Sequence, residues 1–400
     1  MLFATENSEG CTTFIINGRY TPDGRPVLYK HRDTGTLDNA LVFFTDGKYS
    51  YIGLVNATEK CDSMVWGGYN SAGFAIMNSV AYNKNIGDTT RMDGDGQEGI
   101  IMKLALQNCA TIDDFEKLLT ELPKPLGVDT NFGVIDGQGG AAYFETGHQG
   151  FSKIDVNDPA IAPYGYVIRT NHAFTGPIDK GAGYIRYATA NNALYMAAAM
   201  NMYDPQYLIN NISRNLTHSL TGANLWENLP SESVQTDFRP FEDFIPRNSS
   251  ASAILVRGVR KDEDPSNTMM WTVLGFPLVT VATPVWLAAG EPLPSILTIK
   301  DNFHAPLCDA AMKLKERCFP IRRGSGAKYI NIAAVINSEK TGIMQLLKPV
   351  EDEIFQKAKE LDGRMTTEKQ RTGLIRDYYK WLDSYLQETY KKLFGIVMDI

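Results

Sequence analysis

Cys11 stands behind Gly10 and opens the run Cys11-Thr12-Thr13-Phe14-Ile15-Ile16, which makes it the best-placed nucleophile of this chain. If the Gly10–Cys11 bond were cut, Cys11 would hold a thiol and a free α-amine on one residue. An α-amine titrates at about 7.7–8.0, close to the optimum for a base near neutral pH. The simpler account is a core cysteine in an ordinary first strand, because unpaired Cys is among the most buried residue types. Residues downstream bear on the choice. Lys30-His31-Arg32-Asp33 ends the second apolar run, so Asp33 and either Lys30 or Arg32 can lie beside Cys11 across a hairpin. Asn78 and Asn171 place amide side chains at the ends of two further strands, and Arg186 follows at the start of a helix. Taken singly, Asp33 and Arg186 read equally well as surface ion pairs, Asn78 as a strand-end cap and Asn171 as an Asx-turn.

Other chemistries leave weaker traces. The histidines are His31, His148, His172, His218 and His304, and a Cys–His pair would need His31 or His172 near the nucleophile. No papain-type signature surrounds any cysteine, and no Gly-x-Ser-x-Gly elbow, phosphate loop or His-Glu-x-x-His is present. The five cysteines are irregularly spaced and indicate neither a disulfide framework nor a zinc site. Cys308 and Cys318 flank a helical pattern and can pair, though two buried thiols are the reading preferred here. The acidic loop Asn85–Gly96 lacks the final carboxylate of a calcium loop and reads as solvated. No metal or organic cofactor is implied.

The elements that must position these residues are strands first. Cys11–Asn17 and Arg25–Asp33 flank Pro22-Asp23-Gly24, and Leu41–Phe44 and Tyr49–Val55 flank Thr45-Asp46-Gly47-Lys48, giving two hairpins. Ala72–Tyr82, after a Gly67-Gly68 turn, reads as a central buried strand. Helices follow at Gln97–Asn108 and Ile112–Leu122, the second capped by Thr111 and stopped by Pro123. Strands resume at Asn131–Asp136, Ala141–Thr146, Phe151–Asp155 and Tyr166–Thr170, then helices at Tyr184–Met200 and Pro205–Asn215. The second half gives strands at Ala251–Val259, Met269–Leu274 and Leu278–Ala282, a helix at Pro306–Arg317, and one long helical stretch from Gly342 to about Phe394. Its aromatic stripe, Tyr378, Tyr379, Trp381, Tyr385, Tyr390 and Phe394, reads as core or dimer contact. Strands and helices in blocks, without βαβ alternation, make an antiparallel α+β layered fold.

The 400 residues, 44% hydrophobic and 21% charged, supply ample core for a globular chain. A net charge of −7 argues against a nucleic-acid surface. No run reaches the roughly 18–20 apolar residues of a membrane span. The longest apolar stretch, Trp271–Ala289, contains Pro277 and Pro284 and reads as two strands around a turn. The first ten residues do not form a signal peptide. The expectation is therefore a cytoplasmic protein, or an exported one whose signal has been trimmed.

The Gly10–Cys11 junction, the Cys-Thr-Thr start, Lys-x-Arg-Asp at 30–33 and Thr-Asn-His at 170–172 resemble N-terminal-nucleophile (Ntn) hydrolases that cleave linear amide C–N bonds. This is the choloylglycine hydrolase superfamily, and its acyl-CoA:6-aminopenicillanate acyltransferase-like branch, the peptidase C45 grouping, is the most similar over about residues 10–190. The resemblance implies a four-layer αββα sandwich of two antiparallel sheets with C-terminal helices. It also implies a propeptide of residues 1–10 removed by self-cleavage and one Ntn-hydrolase unit over 11–400, with 341–400 a helical extension completing the fold and a homo-oligomer contact. In this reading Cys11 is the nucleophile and Asp33 holds its amine. Asn78 and Asn171 serve the oxyanion and the amine, Arg186 supports the site electrostatically, and Lys30, Arg32 and His172 are possible supports. Bile salt hydrolases carry Arg three residues before the aspartate, where this chain has Lys30. Lys lacks the planar two-pronged donor geometry, so bile salt specificity is not implied. The substrate would be a small-molecule amide or acyl donor. Two other functions stay open: a cysteine dipeptidase of a related group, with Glu145 to meet the substrate amine, and a binding module without catalysis.

Overall fold

The computed structural model describes residues 10–58, 60–88, 97–231, 236–300, 303–364 and 368–400. The leader expected at residues 1–10 therefore lies outside the described residues except for Gly10, as does most of the acidic loop at 85–96. In chain order the strands begin with β1 (Cys11–Ile16), β2 (Val27–Asp33), β3 (Asn39–Phe44), β4 (Tyr51–Asn56), β5 (Gly67–Asn70) and β6 (Ala75–Val80). Helices α1 (Gln97–Asn108) and α2 (Ile112–Glu121) lead into β7 (Thr130–Ile135), β8 (Ala141–Thr146), β9 (Phe151–Asp155) and β10 (Tyr166–Arg169). Helix α3 (Tyr184–Met200) precedes α4 (Pro205–Leu208), which runs on as a π-turn. Then come β11 (Phe238–Pro240), β12 (Ser250–Arg257), β13 (Met269–Leu274) and β14 (Ala282–Val285). The chain ends with α5 (Pro306–Cys318), β15 (Tyr329–Asn331), α6 (Ile332–Val335), α7 (Ile343–Asp362) and α8 (Glu368–Phe394).

Two antiparallel sheets form the inner layers. One has the order β10-β1-β2-β12-β13-β14 and the other runs β3 to β9 in sequence. Strands β1 and β2 face β6 and β7, while α1 covers β4 to β6 and α3, α5 and α7 cover the first sheet. The result is the α+β, four-layer αββα arrangement. The small pair β11–β15 was not foreseen in the sequence.

Local chemistry explains the elements and the corrections. At α2, Thr111 Oγ1 accepts from Asp114 N and Asp114 Oδ2 accepts from Thr111 N, a reciprocal cap. The Gly67-Gly68 pair is not a turn but part of β5. A Cβ on Gly67 would come 2.6 Å from Ile254 of the facing sheet, and one on Gly68 would come 2.1 Å from Ile52 O, so only glycine lets the backbones approach. The strand expected at 278–282 is displaced because Pro277 starts a 3-10 turn, and β14 begins at Ala282. Its Pro284 lacks an N–H and is tolerated because β14 is an edge strand. The single long C-terminal helix is two helices, α7 and α8. Their aromatics join the core: Phe355 stacks on Trp271 at 3.8 Å, and the Tyr379 hydroxyl accepts from Trp286 N at 2.8 Å.

The outer side of the second sheet is held by an aromatic cluster around Phe115, which is fully buried with Phe74, Phe132 and Phe144 at ring distances of 6.2, 5.6 and 5.1 Å. Phe115→Ala should lower unfolding free energy by about 3–5 kcal/mol in a denaturant titration. A loss below about 1 kcal/mol would show that α2 is not held by this cluster.

Candidate active site

Antiparallel register decides what surrounds Cys11. Cys11 lies opposite Arg32, Thr12 opposite His31 and Thr13 opposite Lys30. Paired residues share a face and successive residues alternate. The thiol of Cys11 therefore shares the inter-sheet face with Arg32 and Lys30, while Asp33 lies on the outer face with Thr12 and His31. Asp33 is one residue beyond the partner of Cys11, so its side chain lies on the face opposite the thiol.

On the inter-sheet face, Lys30 Nζ donates to Asn78 Oδ1 at 2.6 Å and to Trp66 O at 2.8 Å. Asn78 in turn donates through Nδ2 to Thr130 Oγ1 at 3.2 Å. Arg32 lies over the Trp66 ring at 4.7 Å and donates to Asn39 Oδ1 at 2.8 Å. Lys30 thus fixes which end of the Asn78 amide is turned away from it. The amide is held as a donor set, although in this structure one donor is spent on Thr130.

The backbone of Cys11 is gripped from the other side. Cys11 N–H donates to Asn171 Oδ1 at 3.1 Å, and Asn171 Nδ2 donates to Val80 O at 3.1 Å, so this amide bridges the two sheets. Arg186, on the first turn of α3 and 2% exposed, donates to Cys11 O at 2.7 Å, Thr12 Oγ1 at 3.1 Å and Asn171 Oδ1 at 2.5 Å. Burial, and then the neighbouring charge of Arg247, lower its pKa to about 10, which leaves it a cation at neutral pH.

Asp33 does not reach the Cys11 nitrogen. Its oxygens accept from Arg247 Nε at 2.7 Å and Ser250 Oγ at 2.6 Å, with His31 Nε2 at 3.3 Å. Burial acts to raise the Asp33 pKa, but Arg247, then His31 and Arg186, override it and hold the carboxyl well below the usual carboxylate range. The Arg247 pKa is raised, since the attraction of Asp33 outweighs burial. Arg247 also crowds Gly10, where a Cβ would fall 1.4 Å from its Nη2. Arg247 and Ser250 were not singled out in the sequence. Their only signal was a cation just ahead of the strand at 251, and its meaning depends on β12 pairing with β2.

His172, named as a possible support, and Glu145, named for the dipeptidase alternative, are committed to other contacts. His172 stacks on Tyr184 at 4.3 Å and its Nδ1 lies 3.1 Å from Ala182 O, so it anchors the turn into α3. Glu145 is fully buried, accepting from Arg169 Nε at 2.7 Å, Phe174 N at 2.9 Å and Thr175 N at 2.8 Å. With its acceptors committed it is not available to a substrate amine, which removes the residue named for a dipeptidase. All five cysteines are free, and Cys308 and Cys318 are separate buried thiols. Among the described residues, Asp38, His304 and Asp309 have metal-ligand spacing, with His304 Nδ1 at 3.4 and 3.0 Å from the two carboxylates in a half-exposed ion-pair cluster. Among the described residues no helix is long and apolar enough to cross a membrane.

Residues 20–221 match the family described as acyl-coenzyme A:6-aminopenicillanic acid acyl-transferase, and the chain belongs to that family. The matched span contains Asp33, Asn78, Asn171 and Arg186 but begins after Cys11. Among solved structures, a Caenorhabditis elegans ortholog of N-acylethanolamine-hydrolyzing acid amidase is similar at 12% identity and TM-score 0.40, over 62% of this chain and 92% of that one. Penicillin V acylase from Agrobacterium tumefaciens is similar at 12% identity and TM-score 0.40, over 69% and 85%. A mutant conjugated bile acid hydrolase from Clostridium perfringens is similar at 9% identity and TM-score 0.44, over 70% and 93%. No curated protein matches the chain.

The buried Asp33–Arg247 pair makes stability depend on pH. Because the folded pKa of Asp33 is depressed, its stabilisation is complete above the unfolded value of about 3.9 and is lost as pH falls below it. Asp33→Asn should cost about 3–5 kcal/mol near neutral pH, since it leaves Arg247 unpaired. It should also flatten the decline in denaturation midpoint between about pH 5 and pH 3. Parallel declines in both proteins would show that Asp33 does not carry this dependence.

Proposed function

We propose that this protein is an autoprocessed cysteine Ntn amidohydrolase or acyltransferase that passes an acyl group from a linear amide through a thioester on Cys11. The observation that carries the reading is the grip of Arg186 and Asn171 on the Cys11 backbone, beside a Gly10 whose Cα is closely approached by the Arg247 guanidinium. In the first reaction Cys11 Sγ attacks the Gly10 carbonyl. The C–S bond forms, the C–N bond breaks, and the thiol proton ends on the nitrogen as the new α-amine. Water then opens the thioester and releases residues 1–10.

In the mature chain the α-amine takes the proton of its own thiol, as base and nucleophile on one residue. Asn171 Oδ1, which accepts from the Cys11 nitrogen before cleavage, is positioned to orient that amine. Arg247 stands between Asp33 and the junction, so Asp33 acts on the amine through this cation. Asn78, with its oxygen held by Lys30 and one N–H on Thr130, presents its other amide N–H toward a tetrahedral oxyanion. Arg32 and Lys30 lie on the same face of the β1–β2 hairpin as the thiol. The substrate is a small-molecule amide or acyl donor.

Intact-mass measurement of the purified protein should give a chain beginning at Cys11, and Cys11→Ala should retain residues 1–10. A Cys11→Ala chain that still lost them would refute self-cleavage. Hydrolysis of a panel of penicillin V, bile salt conjugates, N-acyl amino acids and dipeptide amides, with Cys11→Ala beside it, should show turnover only in the wild type. No turnover, together with an iodoacetamide-inert Cys11, would instead indicate a binding module.

A further inference from the structure

Two guanidiniums converge on Gly10. A Cβ there would lie 1.4 Å from Arg247 Nη2 and 3.2 Å from Arg186 Nη2, so the glycine fills a seat whose walls are both cationic. Neither cation is saturated. Arg247 gives Nε to Asp33 at 2.7 Å, but its Nη2 is buried without a partner, and so is Nε of Arg186. Asp33, the carboxylate bonded here, has both oxygens committed. The other titratable groups whose charge is felt at these side chains are His31, Asp243, Lys315 and Cys11. A buried donor without an acceptor, Arg247 Nη2, beside a residue that departs is what an anion site requires.

We propose that removal of residues 1–10 turns the space of Gly10 into a carboxylate-binding subsite between Arg247 and Arg186, on the acyl side of Cys11. The proposal rests on the self-cleavage reading. When water opens the thioester, its oxygen joins the Gly10 carbonyl carbon, the C–S bond breaks, Sγ regains a proton and a second proton is released. The new carboxylate is then formed on the residue whose Cα lies between the two guanidiniums. The subsite's first ligand is the C-terminal carboxylate of the leader itself. A Cβ at this position would meet Arg247 Nη2, so a leader acid ending in alanine is disfavoured.

The test uses a chain whose N-terminus is set at Cys11 by protease removal of a fused carrier, so that it does not depend on self-cleavage. The probes are synthetic peptides of residues 1–10 as the free acid, as the C-terminal amide, and as the acid ending in alanine. Titration calorimetry should show the free acid binding about tenfold or more tightly than either other peptide. Arg247→Gln should erase the acid-over-amide preference. Full-length Cys11→Ala, with Gly10 still seated, should bind none of the three. Equal binding of acid and amide, no binding by the wild type, or an undiminished preference in Arg247→Gln would each overturn the proposal. Failure of self-cleavage would appear separately, as an uncut wild-type mass.

Discussion

The Arg186 guanidinium, buried and bonded at once to Cys11 O, Thr12 Oγ1 and Asn171 Oδ1, is the constraint on which the rest of the site depends. A buried cation is tolerated only where its donors find partners, and removing one member of such a set strands the others. Arg186 ties helix α3 to the first residue of β1 and to Asn171, two residues beyond β10. Asn171 then carries the tie to β6 of the second sheet through Val80 O. The backbone of Cys11 is thus referenced to three elements at once. A nucleophile must be held with this kind of fixity for its attack geometry to be reproducible.

The first sheet separates two tasks by the alternation of its side chains. Its inner face carries Cys11, Lys30 and Arg32 into the gap between sheets, where Trp66, Asn39, Asn78 and Thr130 receive them. Its outer face carries Thr12, His31 and Asp33 beneath α3 and the entry into β12, where Arg247 and the first residue of β12, Ser250, complete an ionic cluster. The chemistry proposed for the thiol takes place on the first face. The second face governs the Gly10–Cys11 junction.

Much of this was legible in the sequence because it is local. Hairpins joined by Asp-Gly turns, the cap at Thr111, and runs such as Ala141–Thr146 and Met269–Leu274 carry their own signals, and the elements fall where those signals put them. Cys11, Asn171 and Arg186 were also named from the sequence and do meet. What could not be read is what depends on pairing between distant strands. Arg247 lies 214 residues from Asp33, and nothing local says that β12 lies against β2. The face occupied by Asp33 depends on a one-residue register. The glycines of β5 looked like a turn because the need for close approach belongs to the neighbouring backbones.

The central claim is that Cys11 carries the acyl group, and trapping the acyl-enzyme tests it most directly. Mature protein would be mixed briefly with an activated acyl thioester, quenched in acid, digested and mapped by mass spectrometry. The account predicts the added acyl mass on the peptide beginning at Cys11, and none when Cys11 is replaced by alanine. An acyl group found on another residue, or turnover that persists in the Cys11→Ala protein, would contradict it.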